Sequence, residues 1–388
     1  MLIPGLMGTF CIYITPLAGI GWLFLNLFIF NIALMLSILP HEFGHAFVAR
    51  YFGWRVFKIY LGLGKTLFKT IFFGFETEFR AIPLGGLVLA APHETSHYRA
   101  KLFTLVLAGP FANLLLATIT LAVMGGHLHK FDDLAVHLLP LQMFLIANIF
   151  VAFGNLWPSQ VNTVFGKHPS DGRLIWNTLK TNPSQATQAH AAGFVLESTL
   201  CQEKKQYPQA QSWIEKGLAL YPDNLHLLMA GGLNQLHLQQ FNEARDYFVK
   251  ALPWAEKQPL IHSIILNNIA YTNSLIGTPE LMPEADRYSA EALAQLSWMP
   301  SIKGTRGSVL LELGRIDEAL PFLREAMQTH DVPNNKAQNA CWLAIAEIRN
   351  GNPEAGRKYL TMAREFDSTC FLLERTQKVL DGAKAESA

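Results

Sequence analysis

The amino-acid sequence predicts a mainly α-helical protein in two parts: an apolar bundle of membrane helices with a small β-hairpin, then a soluble array of helical repeats. Half of the 388 residues are hydrophobic and only 16% are charged, which is too apolar for an ordinary soluble protein of this length. The first forty residues contain no Asp, Glu, Lys, Arg or His. After about residue 180, small residues recur at a nearly constant spacing. We therefore divide the chain into a membrane-embedded part, residues 1–181, and a repeat part, residues 182–388.

The apolar part contains about four candidate membrane passes. The hydrocarbon core of a bilayer is about 30 Å thick and needs about 20 apolar residues per helix, so the first apolar stretch is too long for one pass. We expect a break at the glycines Gly19 and Gly21. The expected passes are residues 3–18, a second from Trp22 to His45, residues 102–124 and residues 138–157.

Basic residues indicate how this part is oriented. Eight Lys and Arg lie between residues 50 and 101, whereas residues 125–137 hold one Lys against two Asp. Because Lys and Arg are enriched in cytoplasmic loops, we expect residues 50–101 and both termini on the cytoplasmic side. No basic n-region and no A-x-A site mark the first apolar stretch, so we interpret it as a retained membrane segment. A bacterial plasma membrane is the expected location.

Charge and cysteine content exclude some classes of function. The formal net charge is +1, which is too neutral for a nucleic-acid-binding protein. The four cysteines are scattered and form no C-x-x-C pair. We therefore expect free thiols in a reducing compartment instead of a disulfide framework.

Residues 57–90 carry the pattern of a β-hairpin. Residues 66–73 are rich in β-branched and aromatic side chains, Gly74 can form a turn, and residues 75–82 alternate apolar with charged side chains. This pattern is typical of two antiparallel strands joined by a tight turn. The sequence leaves open whether the hairpin pairs with a substrate or only packs on the helices.

The soluble part has a period of 34 residues. Two sets of small residues recur in step, with one longer interval of 41 residues that a loop around residues 277–283 can absorb. A 34-residue period with small residues at helix crossings predicts a tetratricopeptide-repeat α-solenoid. We expect four repeats, a fifth of slipped register around residues 344–363, and a concave face that binds a protein or peptide. The recurring residues are Ala210, Ala244, Ala285 and Ala319, in step with Gly217, Ala251, Ala292 and Ala326.

The most informative motif is the run His41-Glu42-Phe43-Gly44-His45, at the end of the second expected pass. Residues i and i+4 share one face of a helix, so His41 and His45 can both turn a ring nitrogen to one zinc ion. Glu42 is then close enough to take a proton from an attacking water. Ionisable groups at membrane depth cost about 2.5–3.5 kcal/mol each and are kept for function. We therefore expect a catalytic Zn²⁺ site here.

A second H-E-x-x-H run, from His93 to His97, follows Pro92 in a charged stretch. Because that stretch is expected to lie in water or at the membrane surface, its ionisable side chains carry no cost of burial in the membrane. We interpret this copy as a chance match on a solvated or interfacial segment.

Two histidines require a third protein ligand, because catalytic zinc sites usually have three. Asp171 is the one carboxylate between Asp133 and Glu197, and it comes shortly after the fourth expected pass. It is the most economical candidate, and His168 is the alternative. A third interpretation is that both residues belong to a polar turn that caps the following helix.

Four motifs occur in a fixed order over roughly residues 20–180: the first H-E-x-x-H run, Pro-Leu-Gly-Gly at residues 83–86, Gly-Pro-x-x-Asn at residues 109–113, and Asn-x-x-Pro at residues 155–158 leading to Asp-Gly at residues 171–172. With these motifs the chain resembles the site-2 protease family of intramembrane zinc metalloproteases. The resemblance implies Zn²⁺-dependent cleavage of transmembrane segments of other proteins near the cytoplasmic face, as in regulated intramembrane proteolysis. It also implies that the hairpin re-enters the membrane.

The resemblance further implies roles for individual residues. His41, His45 and Asp171 would hold the zinc ion, and Glu42 would be the general base. Residues 159–168 behave like an insertion, because typical members of the family keep their asparagine and aspartate closer together than they are here. The implied substrate-positioning residues are Asn155, Asn113, Gly85 and Gly86.

Two other classes of protein compete with this interpretation. One is a non-catalytic membrane scaffold stabilised by zinc, which displays the repeats for assembly of a complex and has no need of Glu42. The other is a transporter or channel, which the small number of polar residues in the passes disfavours. We therefore predict a membrane zinc endopeptidase whose repeats select its partners.

Overall fold

The computed structural model describes residues 2–12, 18–163, 166–180, 183–329 and 332–387. The chain separates into two units, Met1–Gly193 and Phe194–Ala388. The described part of the first unit contains helices and two β-hairpins, and that of the second contains helices alone. The predicted mainly α-helical class with a small hairpin is confirmed.

The first unit is built around one long helix. Its helices are α1 Leu2–Ile12, α2 Ala18–Tyr51, α3 Tyr98–Val123, α4 Pro140–Leu156, α5 Asp171–Leu179 and α6 Pro183–Glu203, the last of which continues into the second unit. The 34-residue α2 contacts α1, α3 and α4. Among the described residues, α2 and α3 are long and apolar enough to cross a membrane, and the apolar α4 is shorter, with 17 residues.

The predicted break at Gly19 and Gly21 is wrong, because α2 begins at Ala18 and runs through both glycines. Gly21 instead allows α1 and α2 to approach closely. A Cβ atom at Gly21 would lie 2.8 Å from the carbonyl oxygen of Gly8 and 2.8 Å from the backbone nitrogen of Ile12. Small residues let membrane helices pack in this way. Residues 13–17 of the predicted first pass lie outside the described residues.

The predicted hairpin is present and is longer than expected. Strand β1, Arg55–Phe72, pairs antiparallel with β2, Phe75–Ala91. The turn residues Phe73 and Gly74 both have positive φ angles, 50° and 77°, as a two-residue type I′ turn requires. The guanidinium of Arg50, at the end of α2, donates hydrogen bonds to the carbonyl oxygens of both turn residues. The hairpin is therefore fixed to the helix that carries the metal motif.

A second, short hairpin occupies the predicted insertion. Strand β3, Gln160–Thr163, pairs with β4, Gly166–Pro169, and residues 164–165 between them lie outside the described residues. Strand β3 also contacts β2. The insertion was predicted but its strands were not, because four-residue strands show too little alternation to be detected from sequence.

The second unit is an α-solenoid of helix pairs. Its helices after α6 are α7 Tyr207–Leu220, α8 Leu225–His237, α9 Phe241–Ala251, α10 Pro259–Ile276, α11 Met282–Leu296, α12 Pro300–Glu312, α13 Ile316–Thr329, α14 Pro333–Arg349, α15 Pro353–Phe366 and α16 Leu372–Ser387. Consecutive helices pack as pairs: α8 with α9, α10 with α11, α12 with α13, and α14 with α15. The small residues that define the period lie on α7, α9, α11 and α13, and all of them are buried. The tetratricopeptide-repeat prediction is confirmed.

Two irregularities of the repeat have local explanations. Helix α10 has 18 residues, whereas α8 and α12 have 13 each, so the longer helix absorbs much of the 41-residue interval. Gly277, with a φ of 72°, ends α10 before a short 3-10 turn, Pro279–Leu281. In the fifth repeat the small residue at the crossing is Gly356, three positions after the strict 34-residue spacing from Ala319. A Cβ atom there would lie 2.4 Å from Cγ1 of Ile348.

Candidate metal centre

The first H-E-x-x-H run lies near the carboxyl end of α2, where that helix touches α3. A Cβ atom at Gly44 would lie 2.6 Å from the carbonyl oxygen of Ala108, so the two helix backbones are in direct contact at this point. His41, Glu42 and His45 are all buried. The two imidazole ring centroids are 4.9 Å apart, as expected for residues one helical turn apart.

Asp171, the first residue of α5, completes a cluster of three donor groups. Its Oδ2 atom lies 3.0 Å from Nε2 of His41 and 3.5 Å from Nε2 of His45. Ligand atoms about 2 Å from a tetrahedral zinc ion are about 3.3 Å from one another, which matches these separations. The three side chains form a group that could hold a metal ion, because one potential ligand atom from each lies within 4.8 Å of the other two.

Contacts at the base of the short hairpin explain how Asp171 reaches the histidines across the insertion. The hydroxyl of Ser170 donates to the carbonyl oxygen of Trp157 at 2.7 Å and accepts from the backbone nitrogen of Ser159 at 2.9 Å. The backbone nitrogen of Ser170 also donates to the carbonyl oxygen of Ser159. These bonds close the insertion into a loop with adjacent ends. A Cβ atom at Gly172 would lie 1.8 Å from the carbonyl oxygen of Leu156, so a glycine after the aspartate lets α5 begin against the end of α4.

Hydrogen bonds on the far side of each imidazole set its orientation. Nδ1 of His45 lies 2.8 Å from the carbonyl oxygen of Leu105, which can only accept. Nδ1 of His41 lies 2.6 Å from Oδ1 of Asn113, whose Nδ2 donates to Ser37 and to Asn148 and thereby fixes the orientation of the amide. In the neutral rings both Nδ1 atoms are therefore the donors, which leaves each Nε2, on the side that faces Asp171, able to serve as a ligand atom.

A glycine on α3 leaves the space that an ion would need. A Cβ atom at Gly109 would lie 2.3 Å from Nε2 of His45 and 2.8 Å from Nε2 of His41. A catalytic zinc site has three protein ligands and one open coordination position. Here two neutral imidazoles and one carboxylate provide the ligands, and no side chain of Gly109 fills the space beside them. The residues present therefore fit zinc.

Strand β2 passes directly over Glu42. A Cβ atom at Gly86 would lie 2.6 Å from Oε1 of Glu42, so a side chain at this position would displace the carboxylate. The donor cluster, Glu42 and this part of β2 share one cavity of about 220 Å³. Of the other predicted site residues, Gly85, Asn155 and His168 also line this cavity. His168 is not part of the three-residue donor cluster.

Asn113 is placed differently from the prediction. It was expected to position substrate, but it is fully buried behind His41 and does not line the cavity. Its amide instead links His41 to Ser37 and Asn148. The second H-E-x-x-H run lies in an exposed loop before α3, so His93 and His97 do not share a helix face.

Comparison with known proteins agrees with the geometry of this site. The chain is 39% identical over 106 residues to the Regulator of sigma-E protease RseP of Salmonella typhimurium, an alignment that covers 24% of each chain. It is 29% identical over 126 residues to a putative zinc metalloprotease of Chlamydia pneumoniae, covering 26% of this chain and 20% of that protein. It is 40% identical over 58 residues to the zinc metalloprotease Rip1 of Mycobacterium bovis, an alignment that covers 15% of this chain and 14% of that protein. The chain thus matches a quarter or less of the length of these relatives.

Solved tetratricopeptide-repeat structures resemble about half of the chain. A TPR protein of Thermus thermophilus aligns with a TM-score of 0.39 and 18% identity, covering 49% of this chain and 98% of that structure. YrrB, described as a TPR protein with an unusual peptide-binding site, aligns with a TM-score of 0.31 and 18% identity. The alignment covers 48% of this chain and 92% of that structure.

The model of one protein family matches residues 27–302, which is more than half of the chain. The matched region includes the H-E-x-x-H run, both hairpins and the aspartate that completes the donor cluster. The chain belongs to Peptidase family M50, the site-2 protease family of zinc metalloproteases.

Proposed function

We propose that this chain is an intramembrane zinc endopeptidase that hydrolyses transmembrane segments of other proteins near the cytoplasmic face of a bacterial plasma membrane. One observation carries the proposal. Two buried histidines and a partly buried aspartate lie beside a buried glutamate, in a cavity bordered by a β-strand. A metal site that serves stability alone has no need of Glu42 or of an open cavity.

The surfaces of α2 and α3 suit contact with lipid. On α3, four large apolar side chains spaced four residues apart are exposed: Phe111, Leu115, Ile119 and Val123. Residues at this spacing form a stripe along one side of a helix. A long apolar helix with such a stripe is suited to a hydrocarbon environment.

Residues of this chain supply the acid–base chemistry and the geometry of the proposed reaction. Zinc, when bound, supplies a Lewis acid that polarises the scissile carbonyl and makes water nucleophilic at neutral pH. Glu42 accepts the proton from the attacking water and returns it to the leaving amine nitrogen. His41, His45 and Asp171 hold the ion, and burial of Glu42 beneath β2 limits competition from bulk water.

The long hairpin is suited to hold the substrate extended. Strand β2 pairs with β1 along one edge, and residues 85–88 of β2 line the cavity. A transmembrane helix has all its amides paired internally and must unwind before it can be cut. Addition of the unwound segment to the β2 edge would replace those lost hydrogen bonds. Asn155, which lines the same cavity, is the side chain we assign to the substrate backbone.

The repeats are the proposed partner-binding part. All residues assigned to the chemistry precede Phe194, the first residue of the second unit. A solenoid attached to a protease raises the local concentration of a bound partner at the site without touching the scissile bond.

The test is cleavage of a defined membrane substrate. The full-length chain is reconstituted in phosphatidylcholine vesicles with a single-span test protein, with and without 1,10-phenanthroline, and zinc is then restored. We expect zinc-dependent products whose masses place the cut inside the transmembrane segment. Cuts confined to the soluble tails would contradict intramembrane cleavage. A chain that binds zinc but cuts nothing would support the scaffold instead.

A further inference from the structure

One edge of the solenoid exposes large apolar side chains that the proposed chemistry does not use. The two helices of a pair are antiparallel and the pairs stack in the same sense, so the turns between pairs lie along one edge and the turns within pairs lie along the other. Each of the four turns between pairs, from the end of α7 to the start of α14, has such a side chain in it or beside it. We name these residues the apolar ridge: Leu220, Trp254, Leu260, Trp298 and Val332, which are 50–72% exposed.

The opposite edge lacks this feature. The turns within pairs, all of which the structure describes, expose no large apolar side chain to this extent. Leu281 and Leu313, at two of these turns, are instead partly buried against a hydrophobic cluster. The ridge is therefore a property of one edge and not of repeat turns in general. The turns within pairs are residues 204–206, 238–240, 277–281, 313–315 and 350–352.

The ridge recurs with the repeat. Leu220 and Trp254 are 34 residues apart, and so are Trp298 and Val332. Because each of these residues lies at a turn, the ridge is a line of separate protrusions along the edge and not a groove that could enclose a ligand. A line of this kind is suited to contact with an extended soft surface.

Residue type and connectivity indicate a bilayer as that surface. Tryptophan is enriched where membrane and water meet, because its ring is apolar and its N–H can reach a polar group. The first unit exposes a tryptophan at such a position too: Trp157, the residue after the apolar helix α4, is 73% exposed. Helix α6 joins the repeats directly to the first unit. A bilayer that holds the first unit is therefore within reach of the repeats.

The charges at the ridge disfavour attraction by anionic lipid. The turns between pairs contain three acidic residues, Asp223, Glu256 and Asp331, and one basic residue, Lys257. Anionic headgroups attract clusters of Lys and Arg, which these turns do not have. Contact with lipid would therefore depend on insertion of the apolar side chains.

We propose that the apolar ridge inserts into the headgroup region of the bilayer that holds the first unit, with Trp254 and Trp298 as its main contacts. The contact would hold the repeats at the membrane surface, where the soluble tails of membrane proteins emerge. The proposal requires that the first unit spans a bilayer, but it does not require that the chain is a peptidase.

The test measures lipid contact at single positions of the full-length chain, inserted into phosphatidylcholine nanodiscs that hold one chain each. Bimane is attached to Ser297→Cys, beside Trp298, or to Gln240→Cys, in the α8–α9 turn of the opposite edge; both positions are exposed. Cys11 and Cys201, the partly exposed cysteines, are replaced by serine. Phosphatidylcholine with a nitroxide on its headgroup should quench much of the emission at Ser297→Cys and leave the emission at Gln240→Cys unchanged.

A second variant tests the ridge itself. Trp254→Gln/Trp298→Gln should abolish most of the quenching at Ser297→Cys. Both tryptophans are more than half exposed, so the repeats should keep their fold, which circular dichroism verifies. Addition of phosphatidylglycerol should not increase the quenching, because the turns are not basic.

Three outcomes would overturn the proposal. The first is equal quenching at the two labelled positions, including none at either. The second is quenching at Ser297→Cys that survives the double substitution. The third is emission at Ser297→Cys that changes only in discs holding two chains, which would assign the ridge to a second copy of this chain. Because the measurement involves no cleavage, its failure would leave the proposed peptidase function standing, and an inactive chain could still show the contact.

Discussion

Oδ1 of Asn113 on α3 lies 2.6 Å from Nδ1 of His41 on α2, 72 residues earlier in the chain. In the neutral ring this contact places the proton of His41 on Nδ1, and it connects the candidate metal centre to the packing of three helices. Asn148 of α4 in turn accepts a hydrogen bond from the Asn113 amide at 2.9 Å. The geometry of the candidate ligands therefore depends on a buried residue that does not line the cavity.

Asn113→Ala should weaken zinc binding. Loss of the acceptor frees the tautomer and the ring of His41, and removal of such outer partners of metal ligands typically lowers affinity about 10–100-fold. Competition with a chromogenic chelator measures the affinity. The matched control is Asn31→Ala, since Asn31 donates to Leu27 within its own helix. Equal affinity in both variants would show that Asn113 does not orient the histidine.

Gly109→Ala should abolish stoichiometric zinc binding. The added methyl group would lie 2.3 Å from Nε2 of His45, where it must displace a ligand or fill the ion's position. Gly154→Ala, on α4, is the control, because a Cβ atom there meets no heavy atom within 4 Å. Zinc per chain, measured by atomic emission on both purified variants, decides the result. Full occupancy in Gly109→Ala would place the ion elsewhere.

The proposed topology predicts opposite labelling of two engineered cysteines. Asn26 of α2 donates to the carbonyl oxygens of Leu134 and His137, so the loop after α3 lies at the end of α2 away from the metal motif. In intact cells, a membrane-impermeant maleimide should label Lys130→Cys in that loop. Lys378→Cys, in the last repeat helix, should react only after permeabilisation. Labelling of Lys378→Cys in intact cells would reverse the assigned orientation.

Gly307→Ala should destabilise the repeats. A Cβ atom at Gly307 would lie 2.5 Å from Cγ of Leu323, and overpacking of this kind typically costs about 1–3 kcal/mol. The helical glycine Gly382 meets nothing within 4 Å, so Gly382→Ala should raise stability by about 0.5–1 kcal/mol through helix propensity. Urea unfolding followed by circular dichroism measures both. Equal stabilities would show that the crossing tolerates a side chain.

Features that depend on local pattern could be predicted from the sequence. The H-E-x-x-H spacing placed two histidines on one helix face, alternation around Gly74 predicted the hairpin, and the 34-residue period predicted the solenoid. Each of these signals lies within one short segment or recurs at a fixed interval, so the periodicity of the sequence is sufficient to detect it.

Features that depend on contacts between distant segments could not be predicted. Gly21 indicated a break because glycine disfavours helix, but packing against α1 overrides that preference. The resemblance implies a substrate-positioning role for Asn113, but its motif does not reveal which face of α3 it occupies. The hydrogen bonds of Ser170 that close the insertion join residues 11 and 13 positions apart, and nothing in the spacing of Asn155 and Asp171 indicates them.

The most direct test of the account compares zinc content and peptidase activity in Glu42→Gln. The substitution keeps the shape of the side chain and all three proposed ligands, but an amide cannot accept the proton from water. We predict about one zinc per chain and loss of nearly all cleavage of the transmembrane test protein. The His93→Ala/His97→Ala double variant, in the exposed second motif, should keep both properties. Full cleavage activity in Glu42→Gln, with zinc retained, would contradict the central claim.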